Sequence, residues 1–219
     1  PRDLAEIILK KLSNLDAVQE SEIAGPGFIN LRLTAEFWQG QLTEILKTGT
    51  AYGDSNKGCG EKVNVEYVSA NPTGPLHVAH ARGAVTGDVL ANLLRKVGYN
   101  VTTEYYVNDA GNQVEDLARS AYLRYCEALG QNIEEIPEGL YPGDYMIEVG
   151  KRLAAQEGDK WDAANEADWI TLFREVSVEM LMESVCEDLA ALGIKQNIFT
   201  SERTLVEAGT VDDVFKDLE

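Results

Sequence analysis

Cysteine is scarce: Cys59, Cys126 and Cys186 stand alone in 219 residues, an odd number too widely spaced for a disulfide framework or a structural zinc site. Reduced thiols in a cytoplasmic protein are the expectation. Long apolar runs are missing as well, and none nears the roughly 18 residues that a membrane span needs. The opening PRDLAEIILKKL is charged and amphipathic, unlike the basic and then apolar stretch of a secretory signal. Positive charge is in short supply, with 19 Lys and Arg against 37 Asp and Glu, a net charge of −18 and a pI near 4.5. Phosphate-backbone binding relies on clustered Lys and Arg, so bulk charge by itself argues against a nucleic-acid binder. Histidine is rarest, with two in the whole chain.

What is present is an ordinary globular composition, 44% hydrophobic and 26% charged, long enough for one large domain or two small ones. The charge is uneven. Between residues 70 and 100 the charged residues are Arg82, Asp88, Arg95 and Lys96, a local excess of positive charge, whereas residues 133–168 are densely acidic. An anionic ligand is tolerated by the first region and repelled by the second.

Leu4, Ile7, Ile8, Leu12 and Leu15 predict an amphipathic helix over 3–16. After the turn signal Gly25-Pro26-Gly27, the alternation of Ile29, Leu31 and Leu33 predicts a strand, and Trp38, Leu42 and Ile45 a second short helix. A unit of one strand between helices leaves a sheet edge unpaired, so further chain is expected before Pro1. Residues 49–61, GTAYGDSNKGCGE, read as a linker. Beyond it, Val63, Val65, Tyr67 and Val68 predict a strand, Val85, Val89, Leu93 and Val97 a helix closed by Gly98, and residues 101–107 a second strand. That is a βαβ unit with parallel strands and a right-handed crossover. Downstream, Val114 to Tyr125 predicts one helix and the stretch from Asp168 to Gly193 a longer one, with Met and aromatic residues in core positions.

Both histidines fall in His77-Val78-Ala79-His80, directly after the first strand of that unit. In an open parallel sheet, ligands bind at the carboxyl ends of strands, and a helix start adds unpaired N–H donors that suit a polyphosphate. Two imidazoles three residues apart face the same way on a first turn. Each can donate to a phosphate oxygen as its charge grows. A His-x-x-His pair can also ligate a metal or simply cap a helix, and spacing alone leaves these readings open.

The segment VNVEYVSANPTGPLHVAHARGA, residues 63–84, resembles the active-site stretch of arginyl-tRNA synthetases that contains the HIGH motif of class I enzymes. The resemblance continues through TGDVLANLLRKVGYNVTTEYYVNDAGNQ to SERTLVEAGTVDDVFKDLE. It implies an α/β fold: residues 62–219 as the HIGH-motif half of a Rossmann-type parallel sheet with a helical insertion, preceded at 1–48 by part of a small α+β appended domain that contacts tRNA. It implies that His77 and His80 are catalytic and contact ATP, with Gly74 and Ala79 beside them. Glu66, Ser69, Asn71 and His77 would bind arginine, a role that suits Glu66 because a guanidinium seeks a carboxylate in fork geometry. Asn108, Gly111, Asn112 and Gln113 would line the same cleft. The implied substrates are ATP, carried with Mg²⁺, L-arginine and tRNA(Arg), in a parent enzyme that is monomeric. Ala79 departs from the family, which has glycine at the third HIGH position, and a methyl group there crowds the adenine. A KMSKS-type loop, the second half of the sheet and an anticodon-binding domain have no counterpart, so an interior piece of a longer enzyme is expected. The alternatives are a catalytically inactive paralogue used for binding or regulation, and another HIGH-motif adenylyl transferase.

Overall fold

A computed structural model describes residues 1–218, which divide into two compact units at Asp54/Ser55. In the first, α1 (Arg2–Leu12) is followed by β1 (Val18–Ala24), β2 (Phe28–Leu33) and α2 (Ala35–Thr48). Thr34 caps α2, its hydroxyl accepting the Phe37 N–H at 3.2 Å. The sequence predicts one strand here, but β2 pairs antiparallel with β1, in a register that sets Ile23 opposite Ile29. β1, VQESEIA, is too polar to announce itself by hydrophobic alternation; the hairpin turn at Gly25 and Gly27, both with positive φ, brings it alongside β2. Ala5 is the one buried residue among those of this unit, which therefore has almost no core of its own.

The second unit starts on a tether. The backbone N–H groups of Ser55, Gly58 and Gly60 bond to the carbonyls of Lys96, Val97 and Gly98, so the latter part of the glycine-rich stretch is held in place. Then come β3 (Lys62–Glu66), α3 (Val78–Lys96) and β4 (Asn100–Val107), followed by α4 (Asn112–Ala128), α5 (Tyr145–Glu157) and α6 (Glu166–Ala191). The described chain closes with β5 (Ile198–Ser201), α7 (Glu202–Glu207) and α8 (Thr210–Leu218). The sheet order is β3-β4-β5, all parallel, with Val65 opposite Thr103 and Tyr105 opposite Phe199.

Alternation along the strands separates the two faces of this sheet. Val65, Tyr67, Tyr105 and Val107 face a core completed by Ala84 and Ala91 of α3 and by Val185, Leu189 and Ile194. The other face is polar. Asn64 and Thr200, from the flanking strands, both donate to the Glu104 carboxylate, and these two bonds hold it below the ordinary carboxylate range. A second core joins α4, α5 and the first part of α6 around Leu117, Tyr125, Met146, Leu153, Trp169 and Phe173, with Tyr122 stacked on Trp169 at 4.2 Å. α6 belongs to both cores, through Trp169 and Phe173 to one and through Val185 and Leu189 to the other.

Gly87 sets the approach of α3 to the sheet. A Cβ placed there would lie 2.2 Å from the Tyr67 ring, whereas one on Gly83 of the same helix meets nothing within 4 Å. Gly87→Ala is expected to destabilise the chain by about 1–3 kcal/mol through overpacking. Gly83→Ala is expected to stabilise it by roughly 0.5–1 kcal/mol through helix propensity. Opposite shifts in thermal midpoint would verify the contact, and a neutral Gly87→Ala would refute it.

Candidate active site

The site is built on the loop from β3 to α3. Immediately after the strand, Val68 and Ser69 have φ of 73° and 39°. A β-branched residue in the left-handed region is strained and persists where its surroundings over-determine it. Here β4 supplies the restraint: Tyr67 N–H bonds to Glu104 O at 3.1 Å, Tyr106 N–H to Ser69 Oγ at 3.0 Å, and the buried Tyr105 hydroxyl to Ala70 O at 2.8 Å. Burial pushes the Tyr105 hydroxyl up to about 12. Ser69 Oγ, aimed by that turn, donates to the Glu66 carboxylate.

Asn71 comes next, exposed, with its amide between two others. Its Nδ2 donates to Gln113 Oε1 at 2.9 Å and its Oδ1 accepts from Asn108 Nδ2 at 3.1 Å. Pro72 is fully buried, and the Tyr145 hydroxyl of α5 grips Thr73 O at 2.7 Å beside Gly74. Gly111, at φ 86°, caps α4, and Asn112 is its exposed first residue.

His77 is the N-cap of α3, in extended backbone, and His80 lies in the first turn. Their rings stack 3.7 Å apart at 19°. His80 Nδ1 accepts the His77 N–H at 3.4 Å, so its side chain folds back over the helix start. Burial, and next the neighbouring His77, hold His80 below the ordinary histidine value of 6.5. The His80 ring is therefore neutral at pH 7, with Nε2–H left to donate. Val78 and Ala79 are exposed, and the first N–H groups of α3 have no partner within the helix. A shallow cleft here is lined by Leu76, His77, Ala81, Asp188 of α6 and Leu192 just beyond that helix.

A deeper polar recess lies at the ends of β4 and β5 and includes Asp109, Glu175 and Arg203. Asp109, Glu175 and Arg203 are tied together there. Arg203 pairs with Glu175 at 2.6 Å, and the buried Asp109 accepts from Ser201 Oγ at 2.7 Å and Arg203 N–H at 2.9 Å.

The loop thus sets Ser69 against Glu66 at the end of β3, Asn71 against Asn108 and Gln113 from beyond β4, and His77 against His80. Sequence reasoning misses the residues that hold it. Strand alternation could have placed Tyr105 beneath the loop, but Tyr145, from a helix far along the chain, gives no signal. Residues 41–135 match the family described as tRNA synthetases class I (R), catalytic domain, and residues 1–33 match the arginyl tRNA synthetase N terminal domain. The chain belongs to the arginyl-tRNA synthetase family. An arginine–tRNA ligase of Nitrobacter hamburgensis is 59% identical over 210 residues, which are 96% of this chain and 35% of that protein. One from Parvibaculum lavamentivorans is 56% identical over all 219 residues, 38% of its own length. The chain therefore spans little more than a third of the arginyl-tRNA synthetases it matches. Among solved structures, a Campylobacter jejuni protein provisionally described as an arginyl-tRNA synthetase superposes with a TM-score of 0.68 at 34% identity, covering 82% of this chain and 39% of that one. Thermus thermophilus arginyl-tRNA synthetase, 23% identical with a TM-score of 0.54, covers 99% of this chain and 35% of its own and shares the fold.

Proposed function

We propose that this chain supplies one side of the active site of an arginine–tRNA ligase. The observation that carries the reading is the placement of the stacked His77–His80 pair at a helix start, at the end of the loop that bears Ser69 and Asn71 and follows directly on Glu66, the last residue of β3. In the first step the arginine carboxylate attacks the α-phosphorus of ATP; a P–O bond forms to give arginyl-adenylate and the bond to pyrophosphate breaks. In the second, a hydroxyl of the terminal tRNA ribose attacks the acyl carbon and AMP leaves. His77, the Nε2–H of His80 and the N–H groups of Val78 and Ala79 at the α3 start would bind phosphate oxygens whose charge grows as pyrophosphate departs. Phosphoryl chemistry of this kind rests on positioning and charge stabilisation, which suits imidazoles and amides rather than a nucleophile. Gly74 and Ala79 would lie by the nucleotide, with the exposed Ala79 methyl against the adenine. Glu66, its carboxylate aimed by Ser69, would receive the guanidinium. Among the described residues no three His, Cys, Asp or Glu side chains gather to hold a metal ion. Mg²⁺ would arrive with ATP as part of the substrate.

The same reading assigns residues 1–48 to the appended tRNA-contacting domain, 49–61 to the connection, and 62–219 to the HIGH-motif half of the catalytic domain with its insertion. L-arginine, ATP and tRNA(Arg) are the partners, and the parent enzyme acts as a cytoplasmic monomer. No helix of the described residues is long and apolar enough to cross a membrane. Glu66→Gln in a full-length synthetase carrying this chain is the test. Losing a hydrogen bond to a charged partner is expected to raise the arginine KM about 10- to 100-fold and leave the ATP KM nearly unchanged. An unaltered arginine KM would remove Glu66 from the pocket.

A further inference from the structure

The carboxamide of Asn71 is the middle member of a directional relay, Asn108 Nδ2–H to Asn71 Oδ1 at 3.1 Å and Asn71 Nδ2–H to Gln113 Oε1 at 2.9 Å. The three residues come from the β3–α3 loop, the end of β4 and the first turn of α4. A primary amide has two donor hydrogens and two acceptor lone pairs. Asn71 uses one of each, so its oxygen and nitrogen ends are set jointly with those of Asn108 and Gln113, and one N–H and one lone pair remain for a ligand.

Stability does not explain the arrangement, because Asn71 and Gln113 are exposed and Asn108 is half-buried. Hydrogen bonds between solvated amides contribute little to folding. The backbone at each position is nevertheless pinned. Asn71 lies between Ala70, whose carbonyl is held by Tyr105, and the buried Pro72. Asn108 adjoins Asp109, which is bonded to Ser201 and Arg203, and Gln113 adjoins the fully buried Val114. Three amides on fixed backbone, meeting in one chain of bonds, act to orient a side chain.

We propose that Asn108 and Gln113 are positioning residues that lock the Asn71 amide in the one orientation in which its remaining N–H and lone pair meet the substrate arginine. This rests on the reading of Asn71 as part of the arginine pocket. The direction of the relay gives it a chemical signature: position 113 must present an acceptor and position 108 a donor. Glu at 113 keeps an acceptor there and enforces the native direction. Asp at 108 presents acceptors only, so Asn71 turns its NH₂ toward it, Gln113 reverses to donate, and the ligand meets the wrong groups. Both variants add one negative charge, and the Asn71→Ala background separates the effect of that charge from the direction of the relay.

The experiment compares Gln113→Glu and Asn108→Asp in a full-length synthetase carrying this chain, by arginine KM, ATP KM and thermal midpoint, each also in an Asn71→Ala background. Asn108→Asp is expected to raise the arginine KM about tenfold, the loss of one well-aimed hydrogen bond, with ATP KM and thermal midpoint unchanged. Gln113→Glu is expected to raise the arginine KM by less than Asn108→Asp does, and neither variant adds anything once Asn71 is alanine. Equal effects of the two variants, or an Asn108→Asp effect that persists in the Asn71→Ala background, would overturn the relay and leave the pocket standing. An arginine KM untouched by Asn71→Ala itself would instead overturn the pocket reading of Asn71, and the inference with it.

Discussion

Purified by itself, the 219-residue chain is expected to charge tRNA with arginine more than a hundredfold more slowly than a full-length arginyl-tRNA synthetase assayed beside it. The chain spans 35–38% of the relatives it matches, and its sheet has three strands, with β3 on an outer edge. On that edge stands the loop that carries the histidines and the proposed arginine pocket, open on the side away from β4. The helix start and both imidazoles can neutralise phosphate charge from one direction. Residues 133–168 are acidic and repel a polyanion, so that stretch does not supply positive charge from the other. Removal of a single preorganised transition-state contact costs about 10²–10³ in rate, and groups that act as a unit cost more when several are lost together. Weak ATP binding is expected to survive, because the donors of the α3 start are intact. Charging of tRNA by the chain within about a hundredfold of the full-length control would show that the site is completed here after all.

Within a full-length enzyme carrying the chain, His77→Ala and His80→Ala are each expected to lower kcat by about 10²–10³. The double variant is expected to fall far short of the product of the two, because the rings stack at 3.7 Å and His80 Nδ1 accepts from the His77 backbone. The pH dependence has a defined sign. Burial first, then His77, holds the folded His80 below 6.5. Its contribution to stability is therefore present above the unfolded value and is lost as pH falls through the folded one. Protonation converts Nδ1 from acceptor to donor and breaks the bond to the His77 N–H. In the ligand-free chain, NMR titration is expected to place the His80 midpoint below 6.5, and His77→Ala to move it upward. A His80 midpoint at or above 6.5 would contradict the geometry. A kcat loss under about tenfold for both single variants would remove the histidines from the chemistry.

The sequence disclosed the βαβ unit because its strands are β-branched and aromatic, and because α3 ends where Gly98 makes left-handed backbone cheap. The two long helices α4 and α6 were legible for a related reason: each buries a sustained apolar stripe. β1 was not, since VQESEIA buries nothing and owes its form to pairing with β2. β5 was hidden too, being four residues long and defined by parallel pairing with β4 across three intervening helices. At the site, His77 and His80 stood out by rarity, and Glu66, Ser69 and Asn71 by resemblance to a family segment. The partners that hold those side chains were out of reach of local pattern. Asn108 and Gln113 came only through the same resemblance, whereas the bonds of Tyr105, over 35 positions, and Tyr145, over 72, gave no signal, because no short window contains such pairs.

α6 runs 26 residues, about 39 Å at helical rise, and is sunk at one end in the helical core and at the other in the core beneath the sheet. It works as a beam with both ends built in. The Tyr145 hydroxyl, from the same helical layer, clasps the turn at Thr73, which gives that layer a second point of attachment to the sheet. A body fastened at two separated points has lost its hinge. A torque applied to α4 and α5 is therefore delivered to the turn at Thr73 and to the strand floor together, and tilting the helical layer strains the loop that bears Asn71 and His77.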